Sequence, residues 1–119
     1  MTPVELLVAA LCSCAAFCAG RYLDRHGLDR DGLEVTAEFA MATGGPARVG
    51  EVMLKVRVPS GIPPANHAAL LAVASHCTVH NTLRQAPDVA IELTDPGAEP
   101  GAQRSEPGYV RKGRYPNDR

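Results

Sequence analysis

The chain has 119 residues and nearly balanced charge, with 12 basic and 13 acidic side chains. That length holds one domain, and the balance excludes the electrostatic footprint of a nucleic-acid binder or an anionic-membrane binder. Trp is absent and aromatics make up 4% of residues, which leaves few rings for base stacking.

Thr2-Pro3-Val4-Glu5 reads as a helix start: Thr2 is placed to accept from the Glu5 amide, Glu5 to reach back, and Pro3 suits the first helical position. From Leu6 to Gly20 the polar side chains are Ser13 and the thiols Cys12, Cys14 and Cys18. Arg21–His26 is a polar, mainly basic last turn, and Gly27 is a natural stop. A helix apolar on nearly every side is expected to be buried on nearly every side, as the central post of a domain. A secretory leader wants positive charge ahead of its apolar run, and this flank carries Glu5 instead. The run is also shorter than the roughly 20 apolar residues of a membrane span. No membrane role is expected, and four cysteines without a leader point to a cytoplasmic chain with reduced thiols.

After a polar connection, Leu33–Ala42 alternates, with Leu33, Val35, Ala37, Phe39 and Met41 on one face. Thr43–Arg48 is a turn by composition, and Glu51–Pro59 alternates again through Val52, Leu54, Val56 and Val58. The two runs predict an antiparallel hairpin with one wet face. Ser60–Pro64 breaks the sheet, and a second helix is expected over Pro64–His76 with Leu70, Leu71 and Val73 as its apolar face. Cys77 follows, then a short helix over Thr78–Gln85 and a last strand over Asp88–Thr94. From Asp95 on, Pro, Gly and charge dominate, so residues 1–94 are read as the domain and 95–119 as a disordered tail. The fold class is α+β: a long central helix on a small antiparallel sheet, with a further helix and strand after it. So small a sheet cannot cover a helix apolar all round, which predicts a homodimer from burial alone.

Thr2–Cys14 resembles the start of the central helix in the OsmC/Ohr family of thiol peroxidases, where a Pro-x-Glu-Leu-type opening and an alanine-rich run lead into a reactive cysteine. Cys77-Thr78-Val79-His80-Asn81-Thr82-Leu83 resembles that family's second motif, Cys-Pro-Val-x-x-x-Leu, with Thr78 in place of the proline. The resemblance runs over residues 2–94. It implies a thiol-dependent, peroxiredoxin-like reduction of organic hydroperoxides. Cys14 would be the peroxidatic thiolate and Cys77 the resolving thiol, with an external thiol or dithiol reductant and no cofactor. Family members carry an N-terminal sheet, with an arginine that activates the reactive cysteine, ahead of this helix. The chain opens at the helix, so it is expected to be a truncated or shortened member.

Other roles are weighed beside these. The family's organic-hydroperoxide branch places a glutamate directly after the proline. Val4 stands there, and Glu5 lies about 100° further round the helix, so Glu5 is a cap first and a catalytic partner second. Arg21 is two turns beyond Cys14, roughly 10 Å along the axis, too far to replace the arginine. Cys12, nearly opposite Cys14, and Cys18 read first as small buried hydrophobes. A metal site from Cys14, Cys18 and Cys77 with His76 or His80 is an alternative, although one-turn spacing lacks the usual Cys-x-x-Cys knuckle. His76 and His80 are otherwise expected to cap or pack near the helix junction, with His26 and His67 at the surface. The reading from a different class is a catalytically inactive dimerisation or small-ligand-binding module.

Overall fold

The computed structural model describes residues 1–97 and 109–110. It contains two compact units, Met1–Arg84 and Gln85–Arg119. Most of the expected tail, 95–119, lies outside the described residues.

The first unit is built on helix α1, Pro3–Arg25. Its start is the capping box expected from sequence: Glu5 N–H donates to the Thr2 hydroxyl at 3.1 Å, and Thr2 N–H donates to the Glu5 carboxylate at 2.8 Å. Its end is a Schellman closure on Gly27, whose φ of 65° only glycine adopts freely. Leu28 N–H reaches the Leu23 carbonyl at 2.9 Å and Gly27 N–H the Asp24 carbonyl at 3.2 Å, while Leu28 packs into the core beside Leu23. By length and composition α1 also meets the requirement for a membrane span, contrary to the expectation that its run is too short. Here, though, one stripe of it is the core of the unit.

That stripe is Val8, Leu11, Ala15, Ala19 and Leu23, at the three-to-four-residue spacing of one helix face. The opposite face is uncovered, with Leu6 61% and Phe17 58% exposed. Burial all round, the expectation from composition, is therefore corrected to burial on one side.

Strands β1, Glu34–Met41, and β2, Val49–Arg57, pair antiparallel, with Val35 opposite Val56 and Ala37 opposite Leu54. Val35, Ala37, Val52, Leu54 and Val56 are half-buried, while Glu34, Glu38, Lys55 and Arg57 face water, as alternation requires. Near the hairpin tip the alternation continues without a core to meet, so Phe39 and Met41 are exposed rather than inward. The register shifts between Ala40 and Met41, and opposite that irregularity a Cβ on Gly50 would lie 2.9 Å from the Ala42 Cα. Only glycine lets the two backbones approach this closely. The cross-strand ion pairs Lys55–Glu38 (3.4 Å) and Arg57–Glu34 (3.5 Å) are exposed, worth at most about 1 kcal/mol each. Truncating buried Leu23 to alanine costs about 3 kcal/mol, so packing on α1 dominates.

The expected helix Pro64–His76 divides. Pro64–Asn66 is a 3-10 turn, closed by Asn66 N–H on the Pro63 carbonyl, and α2 proper is His67–Ser75. Leu70 and Ala74, one turn apart, are its buried face; Leu71, about 100° away, is 65% exposed rather than inward. Helix α3 is Thr78–Arg84. Two apolar clusters join these elements. Leu11, Ala15, Ala74 and Cys77 form one, and Ala19, Leu23, Ile62 and Leu70 the other.

In the second unit, β3 is Val89–Ala90, which pairs antiparallel with β4, Tyr109–Val110. The strand expected over Asp88–Thr94 is thus reduced to two residues and belongs to a sheet separate from the hairpin. Ile91 and Leu93 are 76% and 93% exposed, so the alternation there has no buried face to hold it.

Candidate functional site

The fold brings Cys14, from the middle of α1, to Cys77 at the start of α3. The two meet because Leu11 and Ala15 of α1 pack against Ala74 and Cys77, while Cys14 and Cys18 lie along the edge of that cluster. Cys77 is buried and Cys14 and Cys18 are half-buried; all are free thiols. Cys77 also shapes the helix it precedes: its sulfur accepts from the His80 amide at 3.4 Å, as a side-chain cap does at a third helical position.

The two thiols have opposite electrostatics. The Val79 amide donates to the Cys14 sulfur and is the largest influence holding its pKa below the usual thiol value. Partial burial opposes this, while the Cys77 thiol, the Thr78 amide and the Cys18 thiol add further stabilisation of the thiolate. Burial pushes the Cys77 thiol up; the His80 amide opposes that, and donation to Cys14 and the nearby Cys14 and Cys18 charges add to it. Of the two thiols, Cys14 is therefore the one that ionises first. Sequence reasoning missed the Thr78 and Val79 amides, because backbone donors carry no side-chain signature. The one available signal was that a helix start follows Cys77 directly, where free N–H groups point outward.

Other candidates fall elsewhere. Glu5 stays in the capping box, nine residues or about 13 Å along the helix from Cys14, and the fold does not bring it to the thiols. Its carboxyl is held below the usual value by its hydrogen bonds to the Thr2 backbone and side chain. The Arg21 guanidinium lies over the Phe17 ring, 5.5 Å from its centroid. Cys12 points the other way, its S–H donating to the Val35 carbonyl at 3.1 Å, and burial raises its pKa. Burial likewise leads the upward shift of Cys18, with the Cys14 charge adding and Arg21 opposing. His26 and His67 are exposed, and His76 sits 2.7 Å from the Ala72 carbonyl through Nδ1. Among the described residues no group of three or more His, Cys, Asp or Glu side chains is arranged to hold a metal ion, so the Cys14, Cys18 and Cys77 metal alternative gains no support.

Beside Cys18 lies a groove of about 320 Å³ between α1 and α2, lined by Arg21, Arg25, His26, Val73 and His76 and free of carboxylates.

The site is thus a helix-borne thiol beside a second thiol at a helix start, on an α+β frame. The chain belongs to the OsmC-like protein family, whose model matches residues 1–92. Among solved structures it is similar to a protein from Psychrobacter arcticus 273-4 described as an osmotic stress induced and detoxification response protein. The TM-score is 0.63 at 23% identity, over 68% of this chain and 58% of that one. The chain thus spans a little over half the length of that neighbour. No curated protein is significantly similar in sequence.

Proposed function

We propose that the chain is a thiol-dependent peroxidase that reduces organic hydroperoxides, with Cys14 peroxidatic and Cys77 resolving. The observation that carries this reading is the packing of the half-buried free thiol Cys14 of α1 against the cluster holding the buried free thiol Cys77 at the start of α3, with the Val79 and Thr78 amides and the Cys77 thiol lowering the Cys14 pKa. A cysteine acts as a nucleophile through its thiolate, and these donors favour the thiolate without a neighbouring arginine. The Cys14 thiolate attacks the O–O bond, forming a sulfenic acid and releasing an alkoxide that leaves, protonated, as the alcohol. The Cys77 sulfur then displaces hydroxide, which takes the Cys77 proton and leaves as water, and a Cys14–Cys77 disulfide forms. An external dithiol returns two electrons and two protons. The apolar cluster beside the thiols favours alkyl hydroperoxides over hydrogen peroxide, because alkyl groups gain from burial. Family membership and the detoxification description of the structural neighbour agree with this role.

The chain acts in the cytoplasm, where its thiols stay reduced, and as a homodimer that covers the exposed Leu6 and Phe17 face of α1. The test is intact mass and peptide mapping after one equivalent of an organic hydroperoxide. The expected result is loss of two hydrogens, mapped to Cys14–Cys77 and abolished by Cys14→Ser. Unchanged thiols after long exposure overturn the peroxidase and leave the inactive binding module.

A further inference from the structure

We infer that the groove between α1 and α2 is a binding site for a small organic phosphate, a monoester whose apolar body lies against Tyr22 and Val73. The site is separate from the thiol chemistry and stands whether or not the thiols act on peroxides.

The groove opens where α1 and α2 end, and its volume of about 320 Å³ is enough for a small molecule. Its charge is of one sign. Arg21 and Arg25 line it, and no Asp or Glu among the described residues does. Asp24, the carboxylate between them in sequence, is held away by Arg30 at 2.9 Å. Arg25 has no ion pair among the described residues, and the contact Arg21 makes is with the Phe17 ring, not with a carboxylate. Guanidinium donors match phosphate oxygens in pairs, so two of them in one groove call for an anion with several acceptor oxygens.

The histidines narrow the choice of anion. His26 Nδ1 lies 2.8 Å from the Tyr22 carbonyl, and His76 Nδ1 lies 2.7 Å from the Ala72 carbonyl. A carbonyl only accepts, so each Nδ1 carries the hydrogen, and Nε2 of the neutral ring is left as an acceptor across the ring from its own helix. A carboxylate or a sulfate ester brings no proton to such an acceptor. A phosphate monoester, whose second proton leaves near about pH 6, can bring one. It donates a P–O–H to a neutral ring or accepts from a protonated one, while its other oxygens take the guanidinium donors. Phosphate satisfies both kinds of side chain.

The remaining wall is apolar and held in place. The Tyr22 phenol oxygen accepts from Asn66 Nδ2 at 2.9 Å, and its ring centre lies 4.1 Å from that of His26. Val73 of α2 lines the groove as well. A ring or short alkyl group on the phosphate is therefore received by a surface that needs little ordering on binding.

The test is a titration of the full reduced chain with phenyl phosphate at pH 7, followed by NMR of the imidazole nitrogens. Without ligand, His26 and His76 are expected in the Nδ1–H form. Phenyl phosphate is expected to shift both rings saturably and to leave His67 and His80, which do not line the groove, unmoved. Phenyl sulfate and inorganic phosphate are each expected to bind about tenfold more weakly, the first lacking the proton and the second the apolar body. Arg25→Gln, at an exposed position, is expected to weaken phenyl phosphate about tenfold with unchanged circular dichroism. Rings that do not shift overturn the inference, as does equal binding of phenyl sulfate or of inorganic phosphate. Unchanged affinity in Arg25→Gln overturns it too, and the ligand series on the parent chain decides the question should that variant misfold. No oxidant is present, so a chain that fails to react with hydroperoxide overturns the proposed function and leaves this result readable.

Discussion

Cys14, in the middle of α1, packs against the cluster that holds Cys77 at the start of α3, and the Val79 backbone amide is the largest influence lowering its pKa. The two adjacent thiols therefore differ in how readily they ionise. The consequence is an order of titration: Cys14 deprotonates below the ordinary thiol value of 9.0, and Cys77 above it. Iodoacetamide labelling across pH, read by peptide mass, is expected to modify Cys14 first at neutral pH. Cys77 should follow only in alkali. The reverse order would exchange the nucleophile and resolving roles.

Glu5 separates a cap from a catalytic partner. Its folded pKa lies below 4.5, so its contribution to stability is complete above that value and is lost as pH falls through the folded pKa. Glu5→Ala is expected to lower the melting temperature by about 2–5 °C at pH 7, and by less at pH 3, where the cap of the parent chain is itself weakened. The rate of Cys14 oxidation by an organic hydroperoxide should stay within about twofold of the parent. A loss of about tenfold or more in that rate, with the helix content unchanged, would return Glu5 to the thiol chemistry.

How far the sequence carried depends on the range of each interaction. The Thr2–Glu5 box and the Gly27 closure are set by residues within one turn, and both were readable. Strand alternation was readable wherever a core exists to meet it, as at Val35 and Val56, and misled where none does, as at Phe39, Met41, Ile91 and Leu93. Leu71 was misplaced because Leu70 and Leu71 are equally apolar, and the Leu70–Ala74 stripe is chosen by what α1 presents. The Cys14 and Cys77 positions came through a resemblance, while the amides that tune them belong to tertiary structure. No residue type announces a backbone donor.

Phe17 tests the dimer. It is 58% exposed on the outward side of α1, the side that also carries Leu6 and Ala10, and lies beneath the Arg21 guanidinium. Two-fold pairing would bring this face onto itself. Sedimentation is expected to give a dimer for the parent chain and a monomer for Phe17→Lys, because an ammonium buried beside the Arg21 charge opposes association by several kcal/mol. The outward face carries none of the buried stripe, so the circular dichroism of the variant should match the parent. A parent chain that sediments as a monomer would leave the α1 face open to another partner.

Thr78 is the departure from the resembled Cys-Pro-Val pattern that the site turns to use. Proline at this first helical position has no N–H, whereas the Thr78 amide donates to the Cys14 sulfur. The position also tolerates proline, since a first-turn amide has no partner within the helix and the ring's fixed φ suits a helix start. Thr78→Pro should therefore remove one donor from the thiolate while leaving α3 formed. A hydrogen bond to a charged group is worth about 1.5–3 kcal/mol, shared here with Val79, which remains. The Cys14 labelling midpoint is expected to rise, and its oxidation at pH 7 to slow severalfold, with the melting temperature nearly unchanged. If the midpoint does not move, Val79 alone sets the thiolate and the threonine is incidental. If it rises as far as the ordinary thiol value, the two amides act as one clamp and neither suffices without the other.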